Sequence, residues 1–165
     1  MKIPCAISNK EVARPFTAHF SDGVVSLRRF DERDRNTLIA GRDADSKRFL
    51  GDEPIEPNPV ACICVATLVV GWIDYDQERS WLLDGEVNVG YNVFPPFRGH
   101  GYGTRALVLF HDFLEGLEPP LRATLLIDPQ NAASLSLAAR AGFREVAQLN
   151  GEVLLKHDVD SMDHL

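Results

Sequence analysis

The sequence predicts an α/β (α+β) domain: a mixed, mostly antiparallel sheet with one parallel strand pair and helices on both faces. Three observations carry that expectation. Residues 86–127 run strand, glycine loop, helix, strand, which is long enough for a right-handed crossover between parallel strands. Residues 60–75 and 143–159 each read as two strands joined by a short turn, which makes antiparallel neighbours. At 165 residues the chain suits one domain with its own apolar core.

The elements follow in order. Residues 1–23 lack periodicity and read as an N-terminal arm, with 24–165 as a single domain. "VVSLRRF" (24–30) is rich in β-branched and apolar residues and reads as a strand. "DERDRNTLIAGRD" follows as a helix capped by Asp31, and "SKRFLG" as a second ending at Gly51. "DEPIEPNP" (52–59) holds three prolines and reads as a loop. Val60–Ala66 and Val69–Tyr75 are two strands turning at Thr67-Leu68. In "EVNVGYNVF" (86–94), Val87, Val89 and Tyr91 share one face, and Glu86, Asn88 and Asn92 the other. Ala106, Leu109, Phe110, Phe113, Leu114 and Leu117 recur at helical spacing and make the clearest helix. "LRATLLI" (121–127) is a strand, and "NAASLSLAARAG" a helix between the N-cap Asn131 and Gly142. "FREVAQL" and "EVLLKHDV" close as a hairpin at Asn150-Gly151.

Composition narrows the function. A formal charge of −7 disfavours nucleic acid as a partner, because phosphate binding needs a basic face. The longest apolar run, Val60 to Ile73, is too short to span a bilayer, so no membrane partner is expected. The N-terminal residues lack the apolar core of a signal peptide. Cys62 and Cys64 are two apart in an apolar run and read as buried thiols rather than a disulfide or metal pair. Together these predict a cytoplasmic protein with no metal. A homodimer is compatible with the sequence.

"PPFRGHGYG" (95–103) carries the chemistry. Two prolines end a strand, and three glycines then lead into a helix whose first amides lack partners and attract an anion. Gly99, Gly101 and Gly103 let backbone approach it, and Arg98 adds a positive charge at the rim. A P-loop would need Gly-Lys-Ser/Thr, whereas Gly103 precedes Thr104-Arg105. A dinucleotide fingerprint would need Gly-x-Gly-x-x-Gly and a later acid, and strand 121–127 carries none.

What fits is Arg-x-x-Gly-x-Gly, filled by Arg98, Gly101 and Gly103. With "VNVGYNVFPPFRGHGYGTRAL", "NAASLSLAARAGF" and the early "LRRF", "DRNTLIAG" and "RFLG", the sequence resembles the GNAT superfamily of acetyl-CoA-dependent N-acetyltransferases. It is most similar to the branch of ribosomal-protein N-terminal acetyltransferases (RimJ/RimL-like). The resemblance runs from about residue 24 onward.

That resemblance implies a site. The strands at 86–94 and 121–127 would splay, and the pantetheine arm of acetyl-CoA would pair with backbone at Tyr91, Asn92 and Val93. An amide there would polarise the thioester carbonyl. The pyrophosphate would rest on amides of Gly99, His100, Gly101, Tyr102, Gly103 and Thr104, and His100 offers a charge in the loop. Asn131 would touch the pantetheine, cap its helix, or both. Many members use a tyrosine seven residues after that asparagine as general acid. Here the position is Ala138, and Ser134 takes the place of a serine near the sulfur. The branch often has an acid two residues before the strand glycine. Here it is Asn88, which leaves Glu86, acting through water, as the candidate base, with Asp84 and Asp128 behind it. The implied reaction is direct attack of a primary amine (a peptide N-terminus, a lysine or a small amine) on acetyl-CoA. The missing tyrosine and Asn88 keep open a module that binds acyl-CoA without transferring it.

Overall fold

A computed structural model describes residues 20–51 and 58–157 of the chain. The strands are β1 (Phe20–Ser21), β2 (Val25–Arg29), β3 (Ala61–Val65), β4 (Leu68–Asp76), β5 (Glu86–Val93), β6 (Arg122–Ile127), β7 (Phe143–Leu149) and β8 (Glu152–His157). The helices are α1 (Arg35–Ala40), α2 (Ala44–Leu50), α3 (Tyr102–Glu115) and α4 (Ala132–Arg140). Among the described residues the strands make one sheet in the order β1-β2-β3-β4-β5-β6-β8-β7. Only β5 and β6 run parallel; every other neighbouring pair is antiparallel. This is the mixed sheet that the sequence predicts.

Several details depart from the expected elements. Phe20 and Ser21, inside the expected arm, pair with Leu27 and Ser26, while residues 1–19 lie outside the described residues. Most of the expected 52–59 loop, residues 52–57, lies outside them too. The β3–β4 turn is Ala66-Thr67, one residue earlier than predicted, because Val65 pairs with Leu68 and closes the hairpin over two residues. Ala66 therefore takes a left-handed φ of 52°, which a glycine would adopt more easily. The helix predicted from Asp31 begins as a 3-10 turn, Glu32–Asp34, and becomes α1 only at Arg35. Asp31 caps it as expected, and the Asp34 carboxylate accepts the Asp31 amide in return.

The sheet separates two apolar layers. The predicted face of α3 is buried at Ala106, Leu109, Phe110, Phe113 and Leu114, joined by Leu107. It packs on Leu27, Ile63, Ile73, Val87 and Leu125 from five strands. Burying one such leucine or phenylalanine contributes roughly 1.5–3 kcal/mol, so this layer supplies the larger share of the driving force. On β3 the side chains alternate: Ala61 and Ile63 enter this layer, Cys62 and Cys64 the opposite one with Leu38 of α1 and Phe94. Both cysteines are free thiols, and burial pushes Cys62 up to about 12. Gly41, ending α1, leaves room for the Phe94 ring, which a Cβ would meet at 2.2 Å.

Candidate active site

β5 and β6 pair over three rungs only, Glu86↔Arg122, Val87↔Ala123 and Asn88↔Thr124. At the fork the buried Thr124 hydroxyl donates to the Val87 carbonyl at 2.9 Å. Beyond it each strand follows its outer neighbour. β4 holds β5 through Gly71↔Val93, and β8 holds β6 through Ile127↔Val153. Gly71 makes the first attachment close, since a Cβ there would lie 2.2 Å from the Asn92 carbonyl oxygen. The parted strands open a cleft of about 750 Å³. Its walls are Val89–Val93 and Leu125–Asp128, its floor the start of α3, and its flanks α4 and Asp45, Ser46 and Phe49 of α2.

The glycine loop closes one end. After the 3-10 turn Pro95–Phe97, Gly99 and Gly101 both take a φ of +79°, and a Cβ at either would point into open space. Positive φ is the reason for glycine at these two positions. Gly101 is the N-cap of α3, with no side chain capping it. The first intrahelical bond is Arg105 N–H to the Gly101 carbonyl at 3.2 Å, which leaves the amides before it without intrahelical acceptors. Thr104 lines the same cleft, and its hydroxyl is buried without a hydrogen-bond partner. Unpaired donors and the positive end of a helix dipole favour an anion here. Gly103 has a different reason to be glycine. A Cβ there would strike Leu137 Cδ1 at 2.4 Å, so it allows α3 to pack on α4.

Arg98, expected as a positive charge at the rim, lines the cleft and is also engaged by the protein. Its Nε donates to the Val93 carbonyl at 2.7 Å, and its terminal nitrogens donate to Asp43 at 2.7 and 3.1 Å and to Asn92 Oδ1 at 3.1 Å. Asp43 is the N-cap of α2, accepting from the Ser46 amide at 3.0 Å. Arg98 therefore ties the end of β5 to α2, and it occupies the buried Asn92 side chain as well. The His100 ring stacks on Tyr102 at 5.4 Å, outside the cleft lining that Tyr102 joins. Arg105 reaches Asp22 at 2.8 Å and anchors the β1–β2 turn beside the loop.

Ser134 lies on α4, at a flank of the cleft. Asn131 caps α4 by accepting the Ser134 amide at 3.2 Å, and both residues line the cleft. The Ser134 hydroxyl meets the Tyr91 hydroxyl at 2.6 Å. Burial pushes the Tyr91 phenol up to about 12, although the bond to Ser134 lowers it somewhat. The sequence reading assigned Tyr91 for its backbone and missed its hydroxyl. No local pattern signals a contact between residues 43 apart.

Glu86, the candidate base, is placed elsewhere. It starts β5 at the closed end of the fork and does not line the cleft. Lys156 Nζ donates to Oε1 at 2.6 Å and the Leu83 amide to Oε2 at 3.0 Å. Burial alone would raise this carboxyl, but these two donors outweigh it and hold it below the usual range. Its geometry is that of a structural anchor. Asn88 donates to Asp76 at 3.3 Å and also lies off the cleft. Asp84 accepts from Arg122 through its backbone carbonyl and is likewise off the lining. Asp128 does line it, one carboxylate oxygen accepting the Gln130 amide at 2.8 Å. The side chain of Gln130 in turn bonds to Arg48, linking α2 to the β6–α4 loop.

A family model for the acetyltransferase (GNAT) domain matches residues 62–144, half of the chain and the whole of the cleft's central walls. The chain belongs to the GNAT acetyltransferase family. As a GNAT domain it is an acyltransferase. Solved structures share its fold. Mycobacterium smegmatis RimJ in complex with CoA-disulfide is 19% identical, with a TM-score of 0.67 over 88% of each chain. The aminoglycoside acetyltransferase AAC(6')-Ib, in complex with ribostamycin and coenzyme A, is 15% identical, with a TM-score of 0.71 over 82% of this chain and 94% of that one. Ribosomal-protein-S5-alanine acetyltransferase from Vibrio fischeri is 15% identical, with a TM-score of 0.65 over 87% and 98%. No curated protein matches the sequence.

Proposed function

We propose that this GNAT domain is an acetyl-CoA-dependent N-acetyltransferase that acts on a primary amine: a peptide N-terminus, a lysine or a small amine. The single observation that carries the proposal is the course of the cleft. It runs from the β5–β6 fork to an uncapped α3 N-terminus where the Thr104 hydroxyl lacks a partner. A long anionic thioester suits that shape, with phosphates at the helix end and an extended arm between the strands.

The chain's residues then divide the work. Amides of the loop and first turn of α3, with Thr104, hold the pyrophosphate. The unpaired edge of β5 from Tyr91 to Val93 aligns the arm, and an amide there stabilises negative charge on the carbonyl oxygen. Asn131 and Ser134 face it from α4. When bound, acetyl-CoA supplies an activated acetyl group and a thiolate leaving group. Asp128, the carboxylate of the lining that directly follows β6, is placed to accept a proton from the incoming ammonium, directly or through water. A cytoplasmic setting belongs to this reading, and two buried free thiols agree with it.

The test is thiol release from acetyl-CoA against a panel of amines, beside calorimetry with CoA. The panel includes aminoglycosides and peptides with N-terminal alanine, which the fold relatives suggest. Turnover on one amine class establishes the transferase. CoA binding without turnover on any amine would instead support a module that senses acyl-CoA.

A further inference from the structure

Tyr91 stands on the β5 wall of the cleft and Ser134 on the α4 flank, and their hydroxyls meet at 2.6 Å. The proposed reaction expels a thiolate, which must be protonated. An alkyl thiol has a pKa of about 8.5 and a free phenol about 10. An aliphatic hydroxyl is a far weaker acid, so Ser134 acting alone would be left as an alkoxide in a half-buried site, an unfavourable charge to strand. Ala138, one turn further along α4, is fully buried against the core and brings no hydroxyl to the cleft.

We propose that Tyr91 is the proton supply behind Ser134, acting from the strand wall through the 2.6 Å contact between the two hydroxyls. The inference rests on the transferase reading above. The amine nitrogen bonds to the thioester carbonyl carbon and the C–S bond breaks. Ser134 passes its proton to the departing sulfur and takes the Tyr91 proton in the same motion. The proton that the new amide nitrogen sheds reaches the Tyr91 oxygen through water in that same motion, so no buried phenolate is left behind. The sum is amine plus thioester giving amide plus thiol, with no further reactant. Burial keeps the phenol protonated well above neutral pH, so the supply is loaded throughout the working range; the same burial disfavours a free phenolate, which is why the proton must be replaced as it leaves. Tyr91 acts through Ser134 and is in that sense a positioning residue.

The experiment uses the full chain and single-turnover thiol release from acetyl-CoA, with the best amine and also with water as the only acceptor. It compares wild type, Tyr91→Phe, Ser134→Ala and the double variant. Tyr91→Phe keeps the ring and loses only the hydroxyl. Expected are a rate loss of about 100-fold or more in each single variant, an unchanged KM for acetyl-CoA, and a double variant no slower than Ser134→Ala. The solvent deuterium isotope effect of wild type should shrink in Tyr91→Phe, a readout that a purely structural role would not move. A Tyr91→Phe rate near wild type, or losses that multiply in the double variant, overturns the relay and leaves the transferase intact. Wild type that binds CoA but releases no thiol with any acceptor overturns both.

Discussion

Arg98 and Asp43 meet through two hydrogen bonds, 2.7 and 3.1 Å long, although 55 residues separate them. The pair joins the glycine loop, where an anion would bind, to the N-cap of α2, which flanks the cleft. Arg98→Met and Asp43→Asn, the latter keeping a good helix cap, should show a coupling of about 0.5–1 kcal/mol in a double-mutant cycle of chemical denaturation. The figure is kept low because the two side chains are 36% and 28% exposed and solvent screens them. Additive losses would mean that the pair contributes nothing beyond its separate parts.

The same pair sets an acid limit. The Arg98 guanidinium holds the Asp43 carboxyl well below its ordinary value of 3.8, at about 2. A carboxyl lowered on folding adds stability that is complete above its ordinary value and lost as pH falls through the lowered one. The melting-temperature gap between wild type and Asp43→Asn should therefore be constant near neutrality. It should close between about pH 4 and pH 2. A gap that stays open at pH 2 would contradict the assignment.

Gly101→Asp should abolish measurable CoA binding. It forces a side chain into a φ of +79° and sets a negative charge at an anion site. Thr104→Val keeps the shape and removes the unpartnered hydroxyl, and should weaken binding about tenfold. Calorimetry on both, with circular dichroism as a control for folding, checks the loop. Unchanged affinity in both would place the phosphates elsewhere.

Glu86 and Lys156 should prove to matter for stability. Glu86→Gln should leave the catalytic rate within about twofold of wild type. Lys156→Met, which strands a buried carboxylate, should cost about 3 kcal/mol in denaturant unfolding, and Glu86→Gln added to it should restore part of that loss. A large rate loss in Glu86→Gln with an unchanged melting temperature would return Glu86 to the chemistry.

The parts of this protein that sequence patterning revealed are those that depend on local period or local backbone. The buried stripe of α3, the Asn150-Gly151 turn with both residues at positive φ, and the Asn131 cap each follow from neighbours in the chain. The parts it missed are set by contacts between distant residues. Arg98 was legible as a charge at the rim, but not its ion pair, because Asp43 is not near it in sequence. Glu86 looked available because Lys156 arrives on β8. Tyr91 and Ala66 show the same limit on a smaller scale: strand alternation gives a face but not a partner, and a hairpin's register fixes its turn only once the rungs are counted.

The placement of β8 between β6 and β7 has a consequence for how the protein is made. A nascent chain that has reached Ile127 can offer β6 only the three rungs of β5. The four rungs that pull β6 outward come from Val153 to Lys156 on β8. During synthesis the two strands that must part are thus the first to meet, and the strand that separates them emerges after both. The fork is completed late, so a ribosome-bound chain lacking β8 should have the glycine loop in hand but no cleft to lead to it.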